Sequence, residues 1–139
     1  MKYRQLDNKF ILRFDHQDDF KAEFLRFCNE ASVEAGSYSG IGSFANCQLG
    51  YFDLGTKSFQ KIQITENYEV ASLIGNLTRL ENKAYLHTHV TLGGKNFNTK
   101  AGHLCRATIG ATLEMVFEKI TGKLSRRFSD EIGLNLIDV

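Results

Sequence analysis

Phe10, Leu12 and Phe14 alternate with Ile11 and Arg13, so residues 9–14 predict a strand buried on at least one face. The polar run from Asp15 to Asp19 suits a helix start, where carboxylates oppose the positive end of the helix dipole. Phe20, Phe24, Phe27, Cys28 and Ala31 follow at helical spacing, with Lys21, Glu23, Arg26 and Glu30 between them. That pattern predicts an amphipathic helix of about four turns. Beyond Gly36 the texture changes. Large apolar residues over 37–54 are interrupted by Gly40, Gly42 and Gly50, which reads as strands with bends or bulges. Leu54-Gly55-Thr56-Lys57 predicts a hairpin turn before an alternating strand from Phe59 to Ile64. Tyr68 to Leu77 is a strongly apolar strand, Glu81-Asn82-Lys83 a turn, and Ala84 to Leu92 the returning strand. Gly93 to Gly102 reads as a polar loop. Over 104–120, Ile109, Leu113, Val116, Phe117 and Ile120 fit a helix, whereas Thr108, Thr112 and the β-branched content fit a strand; the strand is preferred. Leu134, Leu136 and Ile137 give a last short strand signal.

One helix with many strands makes an α+β fold, mainly an antiparallel β-sheet with one long N-terminal amphipathic helix. The 139 residues are about one domain long and enough to bury a core, so residues 1–139 are expected to be a single domain. Eleven phenylalanines supply large buried surfaces with no polar tip to satisfy. Charge is nearly balanced, 17 basic against 16 acidic residues, whereas proteins built to grip nucleic acid are usually far more basic. The N-terminal residues carry no apolar run of the signal-peptide kind, and no window nears the roughly 18 apolar residues of a membrane span. Cys28, Cys47 and Cys105 share no metal-like spacing and fit free thiols in a reducing compartment. The expectation is a soluble, cytoplasmic protein without a membrane partner.

Three of the four histidines fall in His87-Thr88-His89 and Ala101-Gly102-His103. Side chains alternate faces along a strand and advance about 3.3 Å per residue, so His87 and His89 point the same way, two rises apart. Both imidazoles can then reach one ion, and His103 follows a glycine-containing loop able to fold back over the same face. Three neutral imidazoles leave a coordination position open, as in catalytic or ligand-binding sites. A divalent metal is therefore expected at His87, His89 and His103, with zinc first because imidazole suits it. A single strand histidine is more often satisfied by a carbonyl; the His-x-His pair with a third histidine outweighs that reading. His16 reads as solvated. Cys105, two residues past His103, is read as a small buried thiol before a fourth ligand.

Those residues also carry a resemblance. Tyr51-Phe52-Asp53, the run from Glu66 to Asn76, Leu86-His87-Thr88-His89-Val90-Thr91-Leu92-Gly93 and Gly102-His103-Leu104 occur in order through nearly the whole chain. Together they resemble the PPC (plants-and-prokaryotes conserved) domain, whose bacterial members are often described as PD1-like DNA-binding proteins. The resemblance implies an α+β fold around an antiparallel sheet, a homotrimer, and a metal held at His87, His89 and His103. It further implies a fold similar to acetolactate decarboxylase, a metalloenzyme with a comparable three-histidine site. Two departures stand out. The Arg-Gly-Arg-Pro hook by which plant relatives bind DNA is missing, since the chain has no proline. The usual Gly-Gly-His is Ala101-Gly102-His103 here.

Glu69, in an apolar strand, and Glu114, in Ala111–Val116, are candidate general acids or bases, though each is read first as a structural ion-pair partner. Arg106, three residues beyond His103, is a candidate carboxylate anchor, with plain surface as the simpler reading. Lys119, Lys123, Arg126 and Arg127 form the densest basic patch, read as solvated surface. Gly93-Gly94-Lys95 lacks P-loop spacing, so no nucleotide site is assigned. The first functional reading is a stand-alone regulatory module, trimeric, with a metal or small ligand in its cleft and DNA as a possible partner. The second is a metal-dependent lyase acting on a small carbonyl or 2-hydroxy acid, with catalytic roles for Glu69, Glu114 or Arg106. The third is a trimer in which the metal only stabilises the fold.

Overall fold

A computed structural model describes residues 1–139 as β1 (Lys2–Leu6), β2 (Lys9–Phe14), α1 (Phe20–Glu30), β3 (Gly36–Asp53), β4 (Ser58–Ile64), β5 (Tyr68–Leu80), β6 (Lys83–Gly93), β7 (Thr99–Lys119), β8 (Arg126–Ser129) and β9 (Leu134–Ile137). Seven strands form one antiparallel sheet in the order β1-β2-β7-β6-β5-β3-β4. β3 also pairs with β7, so β3, β5, β6 and β7 close on themselves. Closure needs strands that tilt and stagger. β3 and β7, at 18 and 21 residues, are long enough to pair on both sides, and register shifts near Gly42, Phe44 and Gln48 bend them round.

The ambiguous segment 104–120 is thus strand, as preferred, but it extends further back than expected. Strand pairing resumes at Thr99 opposite Gly93, which shortens the loop expected over Gly93–Gly102 to a tight turn. β1 and β8 lay in stretches with no apolar signal. All five residues of β1 are exposed, because it is an edge strand joined to β2 through Asp7-Asn8, with Asp7 at φ 53°.

The expected long N-terminal helix needs correction. It runs only over Phe20–Glu30 and comes after a complete β-hairpin. Its start follows the sequence: the Asp19 carboxylate accepts the Ala22 N–H at 2.8 Å. Its end does not. Ser32 turns left-handed at φ 49°, its N–H reaching the Asn29 carbonyl, while the Val33 N–H reaches the Cys28 carbonyl at 3.0 Å. This Schellman closure normally announces itself with glycine, and here a serine takes the position. Ala31, counted as part of the apolar stripe, is the cap.

Phe20, Phe24, Phe27 and Cys28 turn the buried face of α1 onto the sheet. Phe24 meets the Tyr38 ring edge-on at 4.7 Å, and Phe27 meets Phe10 at 5.2 Å and Phe117 at 5.5 Å. Side chains of directly opposed strand residues share a face. Phe117, Tyr38, Gly75 and Thr88 are opposed in turn and form one row on the face under the helix. The adjacent row on the other face runs Ile11, Val116, Ser39, Ile74, His89, His103, Gly50. It winds once round the closed strands, returning to β3 at Gly50, and it carries two of the three clustered histidines.

Candidate metal centre

His87 and His89 project from one face of β6, and His103 stands on β7 directly opposite His89. The Nε2 atoms of His87 and His89 lie 3.2 Å apart, and the three histidines offer ring nitrogens all within 4.8 Å of one another. Nitrogens on one tetrahedral zinc stand about 3.3 Å apart, given zinc–nitrogen bonds of about 2.0–2.1 Å. The His87–His89 pair is already at that spacing. The donor set therefore fits a single metal ion.

The inner face holds this geometry. Thr88, between the two histidines, is 2% exposed and faces the core. Its hydroxyl meets the Tyr38 hydroxyl at 2.6 Å. Tyr38 reaches it by lying across Gly75, where a Cβ would stand 2.5 Å from the ring. Burial raises the Tyr38 phenol, which stays protonated. A glycine on β5 thus lets a tyrosine on β3 pin the middle of His-Thr-His on β6.

The surroundings of His87 and His103 oppose their protonation. Burial first, then His87, His89 and Lys61, push His103 down to about 4. Burial, then His89 and Arg126, also lower His87. The lone pairs of these two rings are then free near neutral pH, as metal ligation requires.

The histidines open into a cavity of about 400 Å³ that the β8–β9 hairpin helps to wall, with Phe59, Tyr85, Arg126 and Leu136 among its lining. No Asp or Glu lines it. Glu69 is exposed opposite Gly93 and shares a depression with Glu66 and Lys95. Glu114 is exposed opposite Arg13 and Ile41. Arg106 donates to the Gln63 side-chain oxygen at 3.0 Å. The structure brings none of these three to the histidine cavity. Cys105 is absent from the cluster too, at a bulge where Leu49 opposes Leu104 and Gln48 opposes Arg106; its Sγ lies beside Gly50 and Phe59. His16 is exposed, with its ring bonded to the Gly110 carbonyl.

Arg126, expected on a solvated basic patch, instead lines the histidine cavity. Its Nε donates to Thr78 Oγ1, Nη1 to the Asn135 carbonyl and Nη2 to Asn76 Oδ1, each at 2.7 Å, while the guanidinium lies 4.6 Å above the Tyr85 ring. Its neighbour Arg127 points outward, 80% exposed, against Asp138. Strand alternation splits the patch. The only sequence signal available was the weak period of β8.

The chain is similar over 99% of its length, at 30% identity and a TM-score of 0.94, to a candidate DNA-binding protein from Bacteroides thetaiotaomicron, covering 96% of that chain. A metal-containing protein from Archaeoglobus fulgidus is similar at 30% identity and a TM-score of 0.88, with both chains covered in full. The acetolactate decarboxylase of Bacillus subtilis subspecies spizizenii shares the fold at a TM-score of 0.59 and 16% identity, over 79% of this chain and 52% of that one. No curated protein matches the sequence. The model of the Plants and Prokaryotes Conserved (PCC) domain matches residues 1–121, and the chain belongs to that family.

Proposed function

We propose that this protein is a metal-holding regulatory module, a homotrimer in which His87, His89 and His103 of each chain bind one divalent ion, zinc before others, and a small ligand completes the coordination. The carrying observation is the convergence of three imidazoles within 4.8 Å beside an open cavity. Three neutral nitrogen donors suit zinc, and a bound zinc would supply Lewis acidity at its open position. The metal content of the Archaeoglobus relative supports the same reading. Self-association is supported by the exposed apolar residues Ile11, Ile41 and Val116, which line one shallow hollow of the sheet.

Elemental analysis of purified protein tests the centre. One equivalent of metal is expected in wild type and close to none in His87→Ala. Equal metal in both, or none in wild-type protein exposed to zinc, overturns the reading.

A lyase acting on a small carbonyl or 2-hydroxy acid ranks second. Its support is the acetolactate decarboxylase fold. Against it, a proton-moving carboxylate is missing from the cavity wall, and Glu69 and Glu114 stand elsewhere. DNA association is favoured by the description of the Bacteroides relative. A net charge of +1 gives it little electrostatic support, so any retention of duplex DNA should vanish as salt rises.

A further inference from the structure

Arg126 is the one Arg, Lys, Asp or Glu on the cavity wall. Its three hydrogen bonds all go to neutral acceptors: a hydroxyl, a carbonyl and an amide oxygen. It takes part in none of the protein's ion pairs. A half-buried cation without a counter-charge is costly, and an anion entering the cavity relieves that cost. The guanidinium has five N–H donors, so each terminal nitrogen keeps one beyond the bonds just described. Those bonds and the Tyr85 ring hold the planar fork in place before any ligand arrives, which reduces the entropy lost on binding.

The fork also stands next to the histidines. Asn76, which accepts from Nη2, is the cross-strand partner of His87, and Tyr85 precedes His87 by two residues on the same face of β6. Most of the remaining wall is apolar, with Phe52, Phe59, Leu134 and Leu136 beside Tyr51 and Asn135. Arg126 and both leucines lie on the β8–β9 hairpin, beyond the residues 1–121 that the family model matches.

We propose that the C-terminal hairpin makes this site select a small carboxylate with an apolar body. The carboxylate is held between the Arg126 fork and the open position of the histidine-bound metal, and its body lies against Phe59, Leu134 and Leu136. The inference rests on the metal reading above and goes beyond it by naming the ligand class and its selecting residue.

The test measures metal content and ligand affinity separately. Zinc-loaded protein is titrated calorimetrically with butyrate, with n-butanol as the neutral control and inorganic phosphate as the anion without an apolar body. Wild type is expected to prefer butyrate to both. Arg126→Gln is expected to keep its metal and lose more than about tenfold in butyrate affinity, the scale of one charge-assisted contact. Arg126→Lys should recover part of the loss. Thr78→Val removes one tether of Arg126 and leaves the guanidinium, so it should change affinity only a few-fold. An Arg126→Gln protein that holds metal and binds butyrate like wild type overturns the inference and leaves the metal reading standing. So does a Thr78→Val protein as impaired as Arg126→Gln, because the effect would then be hairpin packing. Wild-type protein that takes up no metal overturns both.

Discussion

His103 sits where burial and two neighbouring imidazoles oppose its protonation, and this has a cost in acid. Its folded value of about 4 lies below the ordinary 6.5. Between those values the unfolded chain takes up a proton that the folded chain refuses, so stability falls as pH drops. The favourable contribution is complete above pH 6.5, and its loss is complete once pH has passed below about 4. Metal-free wild-type protein should therefore lose melting temperature more steeply from pH 7 to pH 4 than His103→Gln, measured by circular dichroism. Identical slopes would remove His103 from the account. Arg126 shows the complementary case, a cation held half-buried by neutral acceptors, with burial lowering its proton affinity. Of the two, Arg126 carries the charge that an anionic ligand would relieve.

At the scale of elements, β6 is the component the centre depends on. Its outer face offers two histidines, and its inner face is anchored at Thr88 by the Tyr38 hydroxyl. Thr88→Val keeps the shape of the side chain and leaves the buried Tyr38 hydroxyl with only the His87 carbonyl at 3.5 Å. The expected cost is about 1–3 kcal/mol by urea denaturation, since a buried donor is stranded. Adding Tyr38→Phe removes the stranded group and should recover most of it. Metal affinity should fall in the single variant as the His-x-His segment loosens. If affinity were unchanged while stability dropped, the inner-face pin would serve the fold and not the site.

For the whole molecule, the row from Ile11 through Val116 and Ile74 to His89 places exposed apolar surface directly beside the histidines. Ile41 is 62% exposed and Ile74 58%, on strands whose buried faces are already packed. A proposed trimer would bury this surface and bring the subunit boundary close to the centre. Ile41→Asp should then convert a trimer to a monomer in sedimentation velocity. The isolated monomer should change little in stability, because an exposed side chain contributes within about 0.5 kcal/mol to the single chain. Wild-type protein that sediments as a monomer at micromolar concentration would sink the assembly.

Local patterns carried much of this. Alternation in Phe10-Ile11-Leu12-Arg13-Phe14 marked β2, and the phenylalanine stripe with Asp19 marked where α1 begins. Strand geometry alone aligned His87 with His89, because residues two apart always share a face. Elsewhere the deciding contacts join residues far apart in the chain. The Ser32 turn that ends α1 and the exposed edge strand β1 have no period to read, since one uses an atypical residue and the other buries nothing. Cys105 stands outside the histidine cluster, at a bulge that pairing with β3 creates. Tyr38, Gly75 and Thr88 become a single device only when three strands lie side by side. Arg126 was indistinguishable from Arg127 until β8 paired with β9 and turned one inward and the other out. Sequence by itself determined the elements that bury one face, through short-range periodicity, and which residue types are on offer for chemistry. Tertiary structure decided which of those residues share a cavity, because strand register joins positions whose separation along the chain leaves no local trace.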